Sequence, residues 1–211
     1  MPVSLTQKKA YVANTQPIFS LVKERFGIAP RIALVQSALE SNWGISELAT
    51  AGLNIFSITP GEDWIDAMVN AKSMDAIPTW STNGHPVVYF PTKEYSKYPP
   101  EKIRYWEIPG DIVSKVPDGA GGSLCVVNRY FRKYVSWSEC AGDWGGKLAS
   151  EPRYADAFED AKAGNLAGFA HEIVASGYVT DPVYATELIN TNILIEQMLL
   201  DPPPAAPSTV A

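Results

Sequence analysis

The 211-residue chain carries 17 basic and 23 acidic residues, and its net charge of -6 argues against a polyanion such as nucleic acid, or an anionic membrane surface, as the main partner. With 46% hydrophobic residues it can bury one substantial core, so a single domain is expected. No apolar run approaches the roughly 18 residues needed to span a bilayer, and membrane insertion is not expected.

Taken in chain order, residues 5–26 read as a helix interrupted near Pro17, with Gly27 as its stop signal. A second helix begins at Pro30, a residue suited to a first turn, and runs through Glu40 towards Trp43. Residues 45–51 suggest a short helix, and residues 54–58 a turn or strand. Between about Pro60 and Gly122 prolines, glycines and β-branched or aromatic residues crowd in, as in HPVVYFPTKEYSKYPP, and hairpins and loops are expected. The helical pattern returns over residues 138–150, 152–163, 166–176 and 182–200. The tail DPPPAAPSTVA, residues 201–211, has the composition of a disordered segment. The expected architecture is α+β, mainly α: one domain over residues 1–200, with a helical body, a small β-hairpin lobe and an insertion around 60–122.

The two cysteines, Cys125 and Cys140, fall outside any CxxC pattern, so they suggest either one disulfide in an oxidising compartment or two buried thiols. His85 and His171 have no partner at metal-ligand spacing, and the glycines of GDIVSKVPDGAGG do not match a phosphate-binding loop; no cofactor is implied. The opening residues, MPVSLTQKKAYVANTQ, lack the apolar core of a secretory signal peptide, which suggests a cytosolic chain, an export route without such a peptide, or prior trimming.

One stretch stands apart. In IALVQSALESNWG the residues Gln36, Ser37, Glu40, Ser41 and Gly44 share one sector of a helix, while Ile32, Leu34, Val35, Ala38 and Leu39 fill the rest. An exposed helix face normally carries several charges, yet Glu40 is alone between Arg31 and Glu47, as expected of a helix lining a cleft. A carboxyl against apolar walls, with Trp43 three positions on, loses hydration, and its pKa rises. Glycoside cleavage needs such a protonated acid, because the leaving oxygen must gain a proton as the bond breaks.

The run IALVQSALESNWGISELATAGLNIFSI resembles the catalytic helix and following segment of bacterial glucosaminidases of glycoside hydrolase family 73. Downstream, YFRKYVSWSEC, EPRYADAF and ASGYVTDPVYATELI resemble three further blocks of that family in the same order. The resemblance implies a lysozyme-like helical fold and hydrolysis of the β-1,4 bond after N-acetylglucosamine in peptidoglycan, with Glu40 as general acid. It places a second acidic residue on a hairpin, where PTKEY offers Glu94; Glu62, Asp63, Asp66 and Asp75 are rivals. It also brings Tyr178 to face Glu40. Gln36, Trp43, Phe56 and Tyr184 are the candidate substrate contacts, whereas Asp181 fits a turn before a helix start. Glu94 acting as a base on water would need carboxyls roughly 6.5 to 9.5 Å apart and would invert the anomeric centre; attack by the substrate's own acetamido oxygen is the other route. A lytic transglycosylase or muramidase on the same fold, and a noncatalytic wall-binding module, are the alternatives. A bacterial wall hydrolase acts in the periplasm or outside the producing cell, and one injected as an antibacterial effector would have a cognate inhibitor (immunity) protein as a partner.

Overall fold

The computed structural model of the chain describes residues 2–61, 87–103, 112–179, 181 and 183–200. Glu62, Asp63, Asp66, Asp75, His85, Pro182, the 201–211 tail and much of the 60–122 stretch lie outside the described residues.

Helix α1 (Leu5–Phe26) opens with a reciprocal capping box between Ser4 and Gln7 and closes at Gly27, whose φ of 76° suits a left-handed cap. It is continuous through Pro17, contrary to the expected interruption. Pro17 and Ala13 both lie on the exposed side, so the carbonyl that the proline leaves unpaired can be solvated. Tyr11, Thr15, Phe19 and Val22 form the buried stripe. Helix α2 (Pro30–Glu40) starts on Pro30 and is buried on almost every side, from Ile32 through Ala38. Helix α3 (Glu47–Ala51) is capped by the Ser46 hydroxyl, which accepts from the Ala49 amide.

Residues 53–61 that follow form neither helix nor strand. Buried Asn54 organises them: its Oδ1 accepts from the amides of Phe56 and Ile58, while its Nδ2 donates to the carbonyls of Ile58 and Arg132.

Among the described residues, strands β1 (Val87–Ser96), β2 (Ile112–Pro117) and β3 (Ser123–Arg132) make a three-stranded antiparallel sheet in the order β1-β3-β2, with a register shift between Ile112 and Ser114. The β2–β3 turn rests on Asp118, whose carboxylate accepts from the amides of Ala120 and Gly122. Along β3, Ser123, Cys125 and Val127 are buried and Leu124 is exposed, which is the alternation of a half-buried strand.

The helical body resumes with α4 (Trp137–Ser150), a 3-10 turn at Pro152–Tyr154, α5 (Ala155–Ala163), α6 (Leu166–Ala175) and α7 (Tyr184–Leu200). Helix α2 packs between α1 and α7, and α4 packs on α1. The main core runs through these helices; a small second cluster, Ile103, Cys125 and Val127, belongs to the sheet. Cys140 sits in the first cluster and Cys125 in the second. Both are buried thiols, so the disulfide that the sequence allows is not formed. Burial pushes the Cys140 thiol up to about 12, which leaves it protonated and unreactive.

A buried polar clamp fastens the sheet to the body. At the end of β3, Arg132 pairs with Asp143 of α4 at 2.8 Å, the Tyr134 hydroxyl donates to the same carboxylate oxygen at 2.6 Å, and Arg132 also donates to the Pro60 carbonyl. With side chains only 8% and 10% exposed, Arg132 and Asp143 rely on each other for compensation. Asp143→Ala is therefore expected to destabilise the fold by about 3–5 kcal/mol, read from chemical denaturation midpoints; a loss below about 1 kcal/mol would mean that water already reaches the pair.

Candidate active site

Helix α2 ends on Glu40, and the chain then reverses sharply. Asn42, Trp43 and Gly44 follow in left-handed conformation, with φ of 49°, 59° and 77°. Gly44 is required there twice over, since a Cβ would also come within 2.6 Å of the Trp137 ring and 2.8 Å of Tyr11. The turn is fixed by Ser41, whose hydroxyl donates to the Ser37 carbonyl and accepts from the Gly44 amide. Because the helix stops here, Trp43 does not lie one turn beyond Glu40 as an uninterrupted helix would place it. Its ring meets the edge of Tyr11 at 6.2 Å and carries the Lys8 ammonium at 5.0 Å, both on α1, so it belongs to the core rather than to a substrate wall.

Glu40 itself is half-buried. Its Oε1 accepts a 2.6 Å hydrogen bond from the hydroxyl of Tyr184, the first residue of α7. Burial raises its pKa above the ordinary carboxylate range; the hydroxyls of Tyr184 and Ser57 oppose that shift, and the negative charge of Glu187 adds to it. The native state thus keeps a proton that the unfolded chain releases. This contribution to stability is present below the ordinary carboxylate pKa and is lost as pH rises to the raised native value.

Two tyrosines surround the carboxyl. Tyr178 donates to the Phe56 carbonyl at 2.7 Å, and its own pKa is raised first by burial and then by the Glu40 charge, which places it in the field of that carboxylate. Its ring meets the edge of Tyr154, which the Arg153 guanidinium covers at 4.6 Å. Tyr184 is 5% exposed, and burial and Glu40 hold its hydroxyl protonated, so it acts on the carboxyl rather than on a ligand.

Three further expectations are corrected. Gln36 is fully buried: its Oε1 accepts from the Trp144 indole at 3.1 Å and its Nε2 donates to the Tyr184 oxygen at 3.1 Å, and burial keeps the amide out of a substrate's reach. Phe56 is also fully buried, stacked on Trp144 at 4.4 Å and edge-on to Phe19. Among the described residues the polar sector around Glu40 lines no cleft on either side of it, because Gln36 and Ser37 before it and Ser41 after it all bond inside the protein.

Glu94 lies on strand β1, an outer strand of the sheet among the described residues, opposite Cys125 of β3. Asp181 is exposed and its carboxylate accepts from the Val183 amide, capping the approach to α7. His171 is an exposed side chain of α6, bonded to Glu172. Among the described residues no group of His, Cys, Asp or Glu converges in a way that would hold a metal ion.

Ser57 and Trp144 are site residues that sequence reasoning missed. Ser57 has a φ of 53° and lies beside Glu40, yet nothing in NIFSI marks a serine as left-handed. Trp144 is 108 positions from the glutamine it orients.

The family model for glucosaminidase, described as mannosyl-glycoprotein endo-beta-N-acetylglucosaminidase, matches residues 16–198. The chain belongs to the glucosaminidase family. That agrees with the resemblance carried by the Glu40 helix and the three downstream blocks. Among its relatives, the peptidoglycan hydrolase FlgJ of Vibrio cholerae is 25% identical over 201 residues, covering 94% of this chain and 47% of that protein. The exo-glucosaminidase LytG of Bacillus subtilis is 24% identical over 202 residues, covering 93% of this chain and 54% of that protein. The chain thus spans about half the length of these curated relatives. A crystal structure of a peptidoglycan hydrolase mutant from Sphingomonas sp. A1 superposes with a TM-score of 0.61 at 24% identity, covering 90% of this chain and 97% of that one, a likeness of fold. The glucosaminidase scaffold is the mainly helical α+β body expected, with a three-stranded lobe in place of a simple hairpin.

Removing the Tyr184 hydroxyl deprives the Glu40 carboxylate of one of its hydroxyl donors and takes from the Gln36 amide the acceptor it bonds. Tyr184→Phe is expected to move the Glu40 titration to higher pH, followed by carboxyl carbon NMR, and to lower stability by about 1–3 kcal/mol. A titration that stays in place would show that the hydroxyl does not act on the charged form.

Proposed function

We propose that this chain hydrolyses peptidoglycan at the β-1,4 bond after N-acetylglucosamine, with Glu40 as the general acid. The observation that carries the reading is a half-buried carboxyl, its pKa raised by loss of hydration and its Oε1 held by Tyr184 at 2.6 Å. A carboxylic acid so held can deliver its proton to the glycosidic oxygen as the bond to the anomeric carbon breaks, which removes the need to expel an alkoxide. Family membership and the peptidoglycan hydrolases among the relatives support the substrate class.

Positive charge then develops on the sugar ring. Glu94 is the candidate for the opposite face, as base for a water molecule; the substrate's acetamido oxygen is the other candidate, with the Tyr178 phenol as its helper. The site of action is the bacterial cell wall, in the periplasm or outside the producing cell. A cognate inhibitor protein, if the chain is an injected effector, would act by covering Glu40.

Glu40→Gln is expected to lower the rate of sacculus digestion by about 10²–10⁴-fold, measured as turbidity loss of purified peptidoglycan. Mass spectrometry of the wild-type digest should show N-acetylglucosamine at the new reducing ends. A 1,6-anhydro-muramoyl product would instead assign a lytic transglycosylase, and equal inertness of wild type and variant would leave a binding module. Glu94→Gln divides the two mechanisms: a loss comparable to that of Glu40→Gln supports the base on water, and retention of most activity assigns the role to the acetamido oxygen.

A further inference from the structure

The contacts of Gln36 form a directed chain. An indole nitrogen can only donate, so the Trp144 N–H at 3.1 Å makes the facing Gln36 atom the carbonyl oxygen and fixes which way the amide points. The Gln36 NH2 is thereby turned to the Tyr184 oxygen at 3.1 Å. With that lone pair engaged, the Tyr184 hydroxyl directs its proton onto Glu40 Oε1 at 2.6 Å. Oε1 is therefore an acceptor in both protonation states, and the acidic proton of Glu40 belongs on Oε2. The members are secluded from water: Trp144 and Gln36 are fully buried, Tyr184 is 5% exposed, and the indole is clamped by its stack on Phe56 at 4.4 Å and 10°.

We infer that Trp144 and Gln36 are positioning residues for the acid, acting through Tyr184 to confine its proton to Oε2, the carboxyl oxygen that Tyr184 does not bond. The inference rests on the reading of Glu40 as general acid. Without the lock, the Tyr184 oxygen is free to accept from Glu40, and the proton can settle on Oε1, facing into the protein and away from a glycosidic oxygen. The charged and titratable groups around Glu40 are Tyr184 and Glu187 on α7 and Tyr178 ahead of it, and the Ser57 hydroxyl also bonds the carboxyl.

Gln36→Leu removes the middle of the relay, and Trp144→Phe removes only the donor that orients the amide while keeping a ring against Phe56. Both are compared with wild type by kcat and KM on purified sacculi, by thermal midpoint, and by carboxyl carbon NMR titration of Glu40, its signal assigned by its absence in Glu40→Gln. The expected result is a fall of roughly 10- to 100-fold in kcat with KM little changed, together with a Glu40 titration displaced to higher pH in both variants. If the two variants lower only the thermal midpoint, while kcat and the titration keep their wild-type values, the residues are merely structural and the inference is overturned. It is equally overturned if the titration stays in place while kcat falls. Should Gln36→Leu fail to fold, Trp144→Phe is read alone by the same criteria. Because the titration does not depend on turnover, an active Glu40→Gln would sink the general-acid reading without touching the assignment of the relay.

Discussion

The hydrogen bond from Tyr184 to Glu40 joins the first residue of the last helix to the last residue of the second, 144 positions earlier. A carboxyl in this setting has two conflicting needs. It must lose enough water to remain protonated near neutrality, yet it must stay oriented, and an unpaired buried carboxyl would be both unfavourable and mobile. One neutral hydroxyl, itself held by a buried amide, meets both needs: it satisfies one oxygen without supplying a positive charge that would drag the pKa back down. Loss of hydration outweighs the two hydroxyl contacts, so the net direction is upward.

The rest of the fold serves to hold this contact. Helix α2 is wrapped by α1 and α7, and its polar residues are consumed in internal bonds, so the only charged side chain it exposes to the surroundings at its C-terminal end is the carboxyl. Beyond Glu40, left-handed residues at 42–44, 53 and 57 bend the chain back across the site. Such conformations persist for non-glycine residues only where the surroundings over-determine them. Asn54, the Tyr178 hydroxyl on the Phe56 carbonyl, and the Arg132 amide on the Ile58 carbonyl supply that determination. Through Arg132 and Asp143 the same segment is coupled to the sheet that carries Glu94.

Much of the helical body is legible in the sequence, because its stops and starts are chemical: Gly27 ends a helix and Pro30 begins one where glycine and proline predict. Pro17 misleads, since a proline signals the loss of one hydrogen bond and cannot reveal that the carbonyl left behind faces water. Glu40 is legible as the one charge between Arg31 and Glu47 in an apolar run. Its surroundings are not. Periodicity recognises a polar sector, but it cannot distinguish a sector facing a cleft from one satisfied by a distant tryptophan and tyrosine, and so it presents Gln36 as a substrate contact. Trp43 and Phe56 deceive for a related reason: aromatic rings serve cores and sugar faces alike, and the left-handed turn that swings Trp43 onto α1 leaves a pattern only at Gly44. The two cysteines are close enough in sequence to invite a bridge, but they belong to different clusters.

If the protonated form of Glu40 does the work, two curves set side by side test it: the carboxyl titration of Glu40 in the free enzyme and the pH dependence of kcat/KM on purified sacculi. The expected result is that Glu40 titrates above the ordinary carboxylate range and that the basic limb of the rate profile falls with the same midpoint. A Glu40 that is already ionised where the enzyme is still fully active would contradict it.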